Sequence, residues 1–191
     1  MPNASNHGNE SSTMQNIVVL GVGNTIHSDD GFGVHAMRRL EGDPRLPEGV
    51  TVIDGGTQGL ELLAFLHGCS QLLLLDAVDI GATPGTIIRF AGDELKGLTT
   101  GSSVHQLGVA DLLSTLPLVS DIETKIVILG VQPASTDWGT ELSSPVEAAV
   151  GTVVEQAVEE LLLWSEEARR RDQLGIGRNA ESAEAQCMNF Q

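Results

Sequence analysis

The sequence predicts an α/β protein with a largely parallel sheet covered by helices on both faces. Short apolar runs of strand length alternate along the chain with stretches of helical spacing. The chain has 191 residues, 41% of them hydrophobic and 19% charged, which suits one domain with a real core and falls short of two. Aromatic residues make up only 3% and tyrosine is absent, so the core must be built from Leu, Val, Ile and Ala.

The elements follow in order. Residues 1–14 are polar, rich in Asn and Ser, and expected to form a disordered leader. One domain is expected over 15–168 and a polar, flexible tail over 169–191. The run 16–20 is the first strand, followed by a Gly-rich turn and a helix over about 30–40. A short second strand, 50–53, leads into Asp54-Gly55-Gly56-Thr57 and a helix over about 60–66. The stretch 72–77 is a buried third strand. After the turn pair Pro84-Gly85, residues 85–90 form another strand, at an edge or in a hairpin. Residues 93–103 show no period and read as a long loop, an element that often carries function in a compact domain. A helix over about 107–116 and a strand over 125–131 follow. The last helix has the clearest start: Ser144-Pro145-Val146-Glu147 reads as a capping box with Pro at the first helical position. Val146, Ala149, Val150, Val153, Val154, Ala157, Val158, Leu161 and Leu162 then recur at helical spacing, to about 168. Arg169, Arg170 and Arg171 suit the solvated, negative end of that helix.

Composition excludes several function classes. A formal charge of −16 argues against nucleic acid, whose phosphates need a basic face. It is compatible with attraction to a basic peptide or a metal cation, but solubility is the plainer reading. From two cysteines, Cys69 and Cys187, far apart in the sequence, no disulfide framework or cysteine zinc spacing can be drawn, and Cys69 reads as a buried or half-buried spectator. The first residues lack the basic and apolar regions of a secretory signal. The apolar runs 72–75 and 126–129 are far too short to cross a bilayer. A cytoplasmic protein without a membrane partner is expected. A monomer is expected too, since no long apolar edge or coiled-coil seam is evident.

Four motifs could carry chemistry. Gly21-Val22-Gly23-Asn24 follows the first strand, but a dinucleotide fingerprint would need a glycine where Ile26 stands, and no phosphate-cradling Gly-Lys-Ser/Thr occurs. Those glycines instead let the backbone turn sharply and another chain approach. In Ser28-Asp29-Asp30-Gly31-Phe32-Gly33, Asp29 or Ser28 can cap the following helix. A second carboxylate exceeds that need, and it stands at the strand edge where open α/β sheets bind ligands. Asp76 closes the run Leu72-Leu73-Leu74-Leu75, where a charge is costly unless paired, hydrogen-bonded or bound to a metal. His105 ends the long loop just where a helix begins, a place that also suits a plain capping or surface histidine. Together, Asp30, Asp76 and His105 each follow an element ending on one edge of the sheet. Two carboxylates and an imidazole suit a first-row divalent ion with positions left open for water or substrate. His7 falls in the leader and His35 and His67 in helices, while His27 sits near Asp29 as an accessory group. No Gly-x-Ser-x-Gly elbow and no His-Glu-x-x-His pair occurs, so the usual marks of serine hydrolases and zincins are missing.

These motifs, in order and at similar spacing over about 16–164, resemble the maturation proteases of nickel–iron hydrogenases. The likeness is carried by Val19-Leu20-Gly21-Val22-Gly23-Asn24, Asp29-Asp30-Gly31-Phe32-Gly33-Val34, Asp54-Gly55-Gly56-Thr57, Leu75-Asp76-Ala77 and His105-Gln106-Leu107. Val127-Ile128-Leu129-Gly130-Val131-Gln132-Pro133 and Leu142-Ser143-Ser144-Pro145-Val146-Glu147 extend it. The resemblance implies a three-layer α/β/α sandwich around a twisted five-stranded sheet. It implies that Asp30, Asp76 and His105 are the catalytic and nickel-binding set, although some members carry Glu at the position of Asp30. It further implies removal of a short C-terminal peptide from the hydrogenase large-subunit precursor, just after its last Cys-x-x-Cys-x-x-His/Arg motif. The nickel belongs to that substrate, and no organic cofactor is implied. In this reading the scissile segment docks on the loops of Gly21, Gly23, Asn24 and Asp29 and of Gly55, Gly56 and Thr57, and the 97–103 loop orders over it. Attack by a metal-bound water and an aspartic-type route with Asp30 or Asp76 as base both remain open. A non-catalytic nickel-dependent checkpoint protein would use the same residues, and a small-molecule hydrolase could use a similar sheet. The first would leave the precursor uncut, and the second would cleave free small substrates.

Overall fold

The computed structural model describes residues 16–95, 106–120 and 122–174. The expected leader, the tail beyond 174 and the 97–103 loop lie outside these. Among the described residues five strands carry the fold: β1 (Asn16–Val22), β2 (Val50–Gly56), β3 (Cys69–Ala77), β4 (Ile87–Ala91) and β5 (Lys125–Val131). The α-helices among the described residues are α1 (Phe32–Glu41), α2 (Gln106–Val119) and α3 (Ser144–Leu174). The strands form one sheet in the order β2-β1-β3-β5-β4. All pairings are parallel except that of β4 with β5, where β4 lies antiparallel at the edge, as its turn chemistry suggested.

The strand runs are apolar at successive positions because both faces of the sheet are covered. Ile17, Val19, Leu73, Leu75, Val127 and Leu129 face α1 and α3, in a core that also holds Phe32, Val153 and Trp164. Val18, Leu20, Leu72, Leu74 and Ile128 face the other way, against Leu62, Leu66, Leu112 and Leu116. Three layers result. Shape of the sequence and shape of the sheet agree here because period two assigns each residue its layer.

Three details differ from the sequence reading. The segment after β2 is a 3-10 helix, Gly59–Phe65, not an α-helix. It buries only Leu62 within its length, too narrow a face to hold an α-helical register, and His67 lies in the turn beyond it. The last helix starts where expected, but its first intrahelical bond runs from Glu147 N–H to the Ser143 carbonyl at 2.8 Å. Ser143, not Ser144, is therefore its cap by backbone geometry. That helix also continues to Leu174, past the expected end at 168, and Leu162 is 44% exposed although spacing placed it in the buried stripe. Val158, Leu161 and Trp164 carry the seam there, and Leu162 lies off it.

Candidate active site

The chain leaves β1 toward β2 on one side and leaves β3 toward β5 on the other, so the strand order reverses between β1 and β3. In open α/β sheets a crevice opens at this point, outside the carboxyl ends of the strands. Here the β1–β3 ladder ends with Gly21 paired to Leu75, one residue before Asp76. Asp76 thus stands at the mouth of the crevice, on the face that also holds Leu72 and Leu74.

Asp30 reaches the same place by a different route. A 3-10 helix over Ser28–Gly31 precedes α1. Three residues per turn set neighbours about 120° apart, so Asp29 and Asp30 face different partners. Asp30 turns to the cleft, and one of its oxygens accepts the Asn24 backbone N–H at 2.9 Å. Close glycine packing lets α1 come this near. A methyl group at Gly33 would collide with the carbonyl oxygens of Leu75 and Val22, and one at Gly23, whose φ is +121°, with the carbonyl of Asp30. Gly23 N–H also donates to Gly56 O at 2.8 Å, tying the first glycine loop to the second.

The cleft has room for about 190 Å³ and is lined by Gly23, Asp30, Gly56, Thr57, Gly59 and Asp76, with an apolar wall of Val22, Leu62, Val109 and Leu112. Asp30 is 3% and Asp76 8% exposed. Burial in the low-dielectric interior pushes the Asp76 carboxyl well above the usual carboxylate range, and the negative charge of Asp30 adds to it; the Ala77 backbone N–H opposes both. Two carboxylates facing one cleft, with one resisting ionisation, can share or shuttle a proton or receive a cation.

Of the residues expected in the substrate loops, Gly23, Gly56 and Thr57 line the cleft. Gly21 is buried beneath Gly33 and Met37, and Gly55 packs on Leu20 and Val22. The Asn24 side chain accepts Ile26 N–H at 3.2 Å. Asp29 departs most from its expected role. It is fully buried, and its carboxylate accepts Ser143 N–H at 2.6 Å, Ser143 Oγ at 2.8 Å, Ala134 N–H at 2.8 Å and Ser135 N–H at 3.1 Å. Burial raises its pKa, but the four donors together outweigh burial and leave it lowered. Asp29 therefore holds the 134–143 segment and the start of α3 rather than a substrate. His105 lies outside the described residues. Among those residues no group of three His, Cys, Asp or Glu side chains is placed to hold a metal ion. Cys69 is buried and its thiol is pushed up to about 11, chiefly by burial, which suits a spectator.

Sequence reasoning missed Gly59, Leu62, Val109 and Leu112 as cleft residues. At helical or strand spacing an apolar side chain that walls a cleft looks the same as one in the core.

Comparison with known proteins identifies the family and agrees with the α/β fold. The sequence profile of the HycI hydrogenase maturation protease family matches residues 34–160. The hydrogenase expression/formation protein HupD of Rhodobacter capsulatus is 35% identical over 159 residues, 82% of this chain and 76% of that protein. The hydrogenase 2 maturation protease of Escherichia coli is 38% identical over 144 residues, 74% of this chain and 88% of that one. The structure of the hydrogenase maturating endopeptidase HybD from E. coli superimposes with a TM-score of 0.71 at 36% identity, covering 77% of this chain and 92% of that one. The profile match, the relatives and the shared α/β architecture lead to one conclusion: this chain belongs to the hydrogenase maturation protease family.

Proposed function

We propose that this protein is an endopeptidase that removes the C-terminal extension of a nickel–iron hydrogenase large-subunit precursor after nickel insertion, and recognises that nickel through Asp30, Asp76 and His105. The observation that carries the reading is the pair of buried carboxylates, Asp30 and Asp76, facing one cleft at the β1–β3 crevice. A divalent cation in the substrate would offset the burial, and with it the Asp30 charge, that raise Asp76, and would favour its ionised form. Support for His105 as the third ligand comes from α2, which begins at Gln106 and lines the cleft with Val109 and Leu112.

In this mechanism the nickel of the substrate docks the scissile bond against Gly23, Gly56 and Thr57. Water adds to the peptide carbonyl, the C–N bond breaks, and the proton lost by the water passes to the leaving amine. A carboxylate of the pair is suited to carry that proton. The apolar wall excludes bulk water from the reacting atoms. A cytoplasmic location and a monomeric state belong to the same reading; no helix of the described residues is long and apolar enough to cross a membrane.

The test is the mass of the large-subunit precursor, nickel-loaded or empty, after incubation with the protein. Loss of a C-terminal peptide from the loaded form alone is expected. Tight binding without shortening would favour a checkpoint role. Asp76→Ala should abolish processing, a loss of at least about a thousandfold, while the fold persists; normal processing by this variant would sink the assignment.

A further inference from the structure

The chain has two tryptophans and no tyrosine. Trp164 is fully buried, whereas Trp138 is 78% exposed. A large aromatic side chain left in water is a frequent anchor of protein interfaces. Trp138 is also held in place. Its ring lies on that of His27, with centroids 4.4 Å apart. The His27 ring Nδ1–H donates to Thr136 O at 3.0 Å, Ser28 N–H to Gly139 O at 2.8 Å, and Gly139 N–H to Ile26 O at 3.1 Å. Ile26, at the tip of the facing loop, is itself 48% exposed.

This pair of loops is continuous with the cleft. The segment bearing Ile26 and His27 runs directly into Asp30, whose N–H donates to His27 O at 3.1 Å. The segment bearing Trp138 is pinned to Asp29 through Ala134, Ser135 and Ser143. An apolar anchor and a carboxylate of the cleft thus belong to one braced unit.

We infer that Trp138 and Ile26 form a docking surface for the folded body of the large-subunit precursor, outside the cleft that takes its C-terminal segment. The inference rests on the function proposed above. Charge favours that occupant over a second copy of this chain. Exposed Asp137 and Glu141 flank Trp138 on a chain of net charge −16, so two copies would meet with like charges, a repulsion that a neutral surface escapes and a basic one turns into attraction. Binding energy gained at a preorganised anchor away from the reacting bond helps orient the substrate without entering the chemical step.

Trp138→Ala and Ile26→Ser, made in the full chain, test it against Leu174→Ser, a control on the exposed last turn of α3. Precursor affinity is measured by titration, and KM and kcat from the rate of precursor shortening. Each loop variant is expected to weaken binding and raise KM about tenfold with kcat at saturating precursor retained, Trp138→Phe to recover most of the loss, and the control to match wild type. Unchanged affinity and KM in Trp138→Ala and Ile26→Ser would overturn the proposal. So would loss of self-association without loss of precursor affinity, which would assign the surface to a second copy. Should the wild-type protein bind the precursor without shortening it, the peptidase reading fails, and the affinities of the variants still decide the docking surface.

Discussion

Asp29 and Asp30 are adjacent in sequence yet take opposite duties. The one held by four donors is a fastener, and the one turned to the cleft is available to chemistry. Replacing Asp29 with Ala strands those donors and should cost about 3 kcal/mol, seen as a lower denaturation midpoint. Because the folded-state pKa of Asp29 is lowered, its contribution is present above the ordinary carboxylate pKa and is lost as pH falls through the folded value. Wild type and Asp29→Asn should therefore differ most near neutrality and converge in strong acid. Asp76 has the opposite sign. Its raised pKa makes it neutral weight in acid and a burden as pH climbs above the ordinary carboxylate range. Asp76→Asn should melt higher than wild type at pH 7 and equal it near pH 3, while losing activity. The sequence marked Asp29 only as part of a motif, since the partners that fasten it, Ala134, Ser135 and Ser143, lie more than a hundred positions away.

At the scale of elements, the strands were legible and the joints were not. Runs such as Leu72–Leu75 needed no partner to be recognised, because burial on two faces leaves one reading. The 59–65 segment misled because Leu60, Leu62, Leu63 and Leu66 allow helical spacing, while the structure leaves Leu60 and Phe65 about half exposed. Ser143 was passed over as a cap because Ser144-Pro145-Val146-Glu147 offers the same residue types one position later. The packing of α1 on the sheet depends on Gly33, which the sequence marked only as part of a motif. Gly33→Ala would force α1 away from Leu75 and Val22. A loss of about 3 kcal/mol is expected, with a melting midpoint lower by on the order of 10 °C, and activity should fall further than stability because Asp30 moves with the helix.

For the molecule as a whole, the parallel order and the reversal between β1 and β3 put Asp30 and Asp76 at one end of the sheet, as the order of the elements along the sequence suggested. Sedimentation is expected to give a mass near 20.1 kDa, that of one chain. The fastening of Asp29 to Ser143 spans 114 positions along the chain. A contact of that separation closes late in folding, after local units have formed. During synthesis, β1 to β3 will have left the ribosome well before Ser143, so a nascent chain can hold its first carboxylates without their final setting. Processing competence should then appear abruptly, when the last helix emerges and docks. In refolding, regain of activity should lag behind regain of helical circular dichroism, because the site is set only when its most distant contact closes.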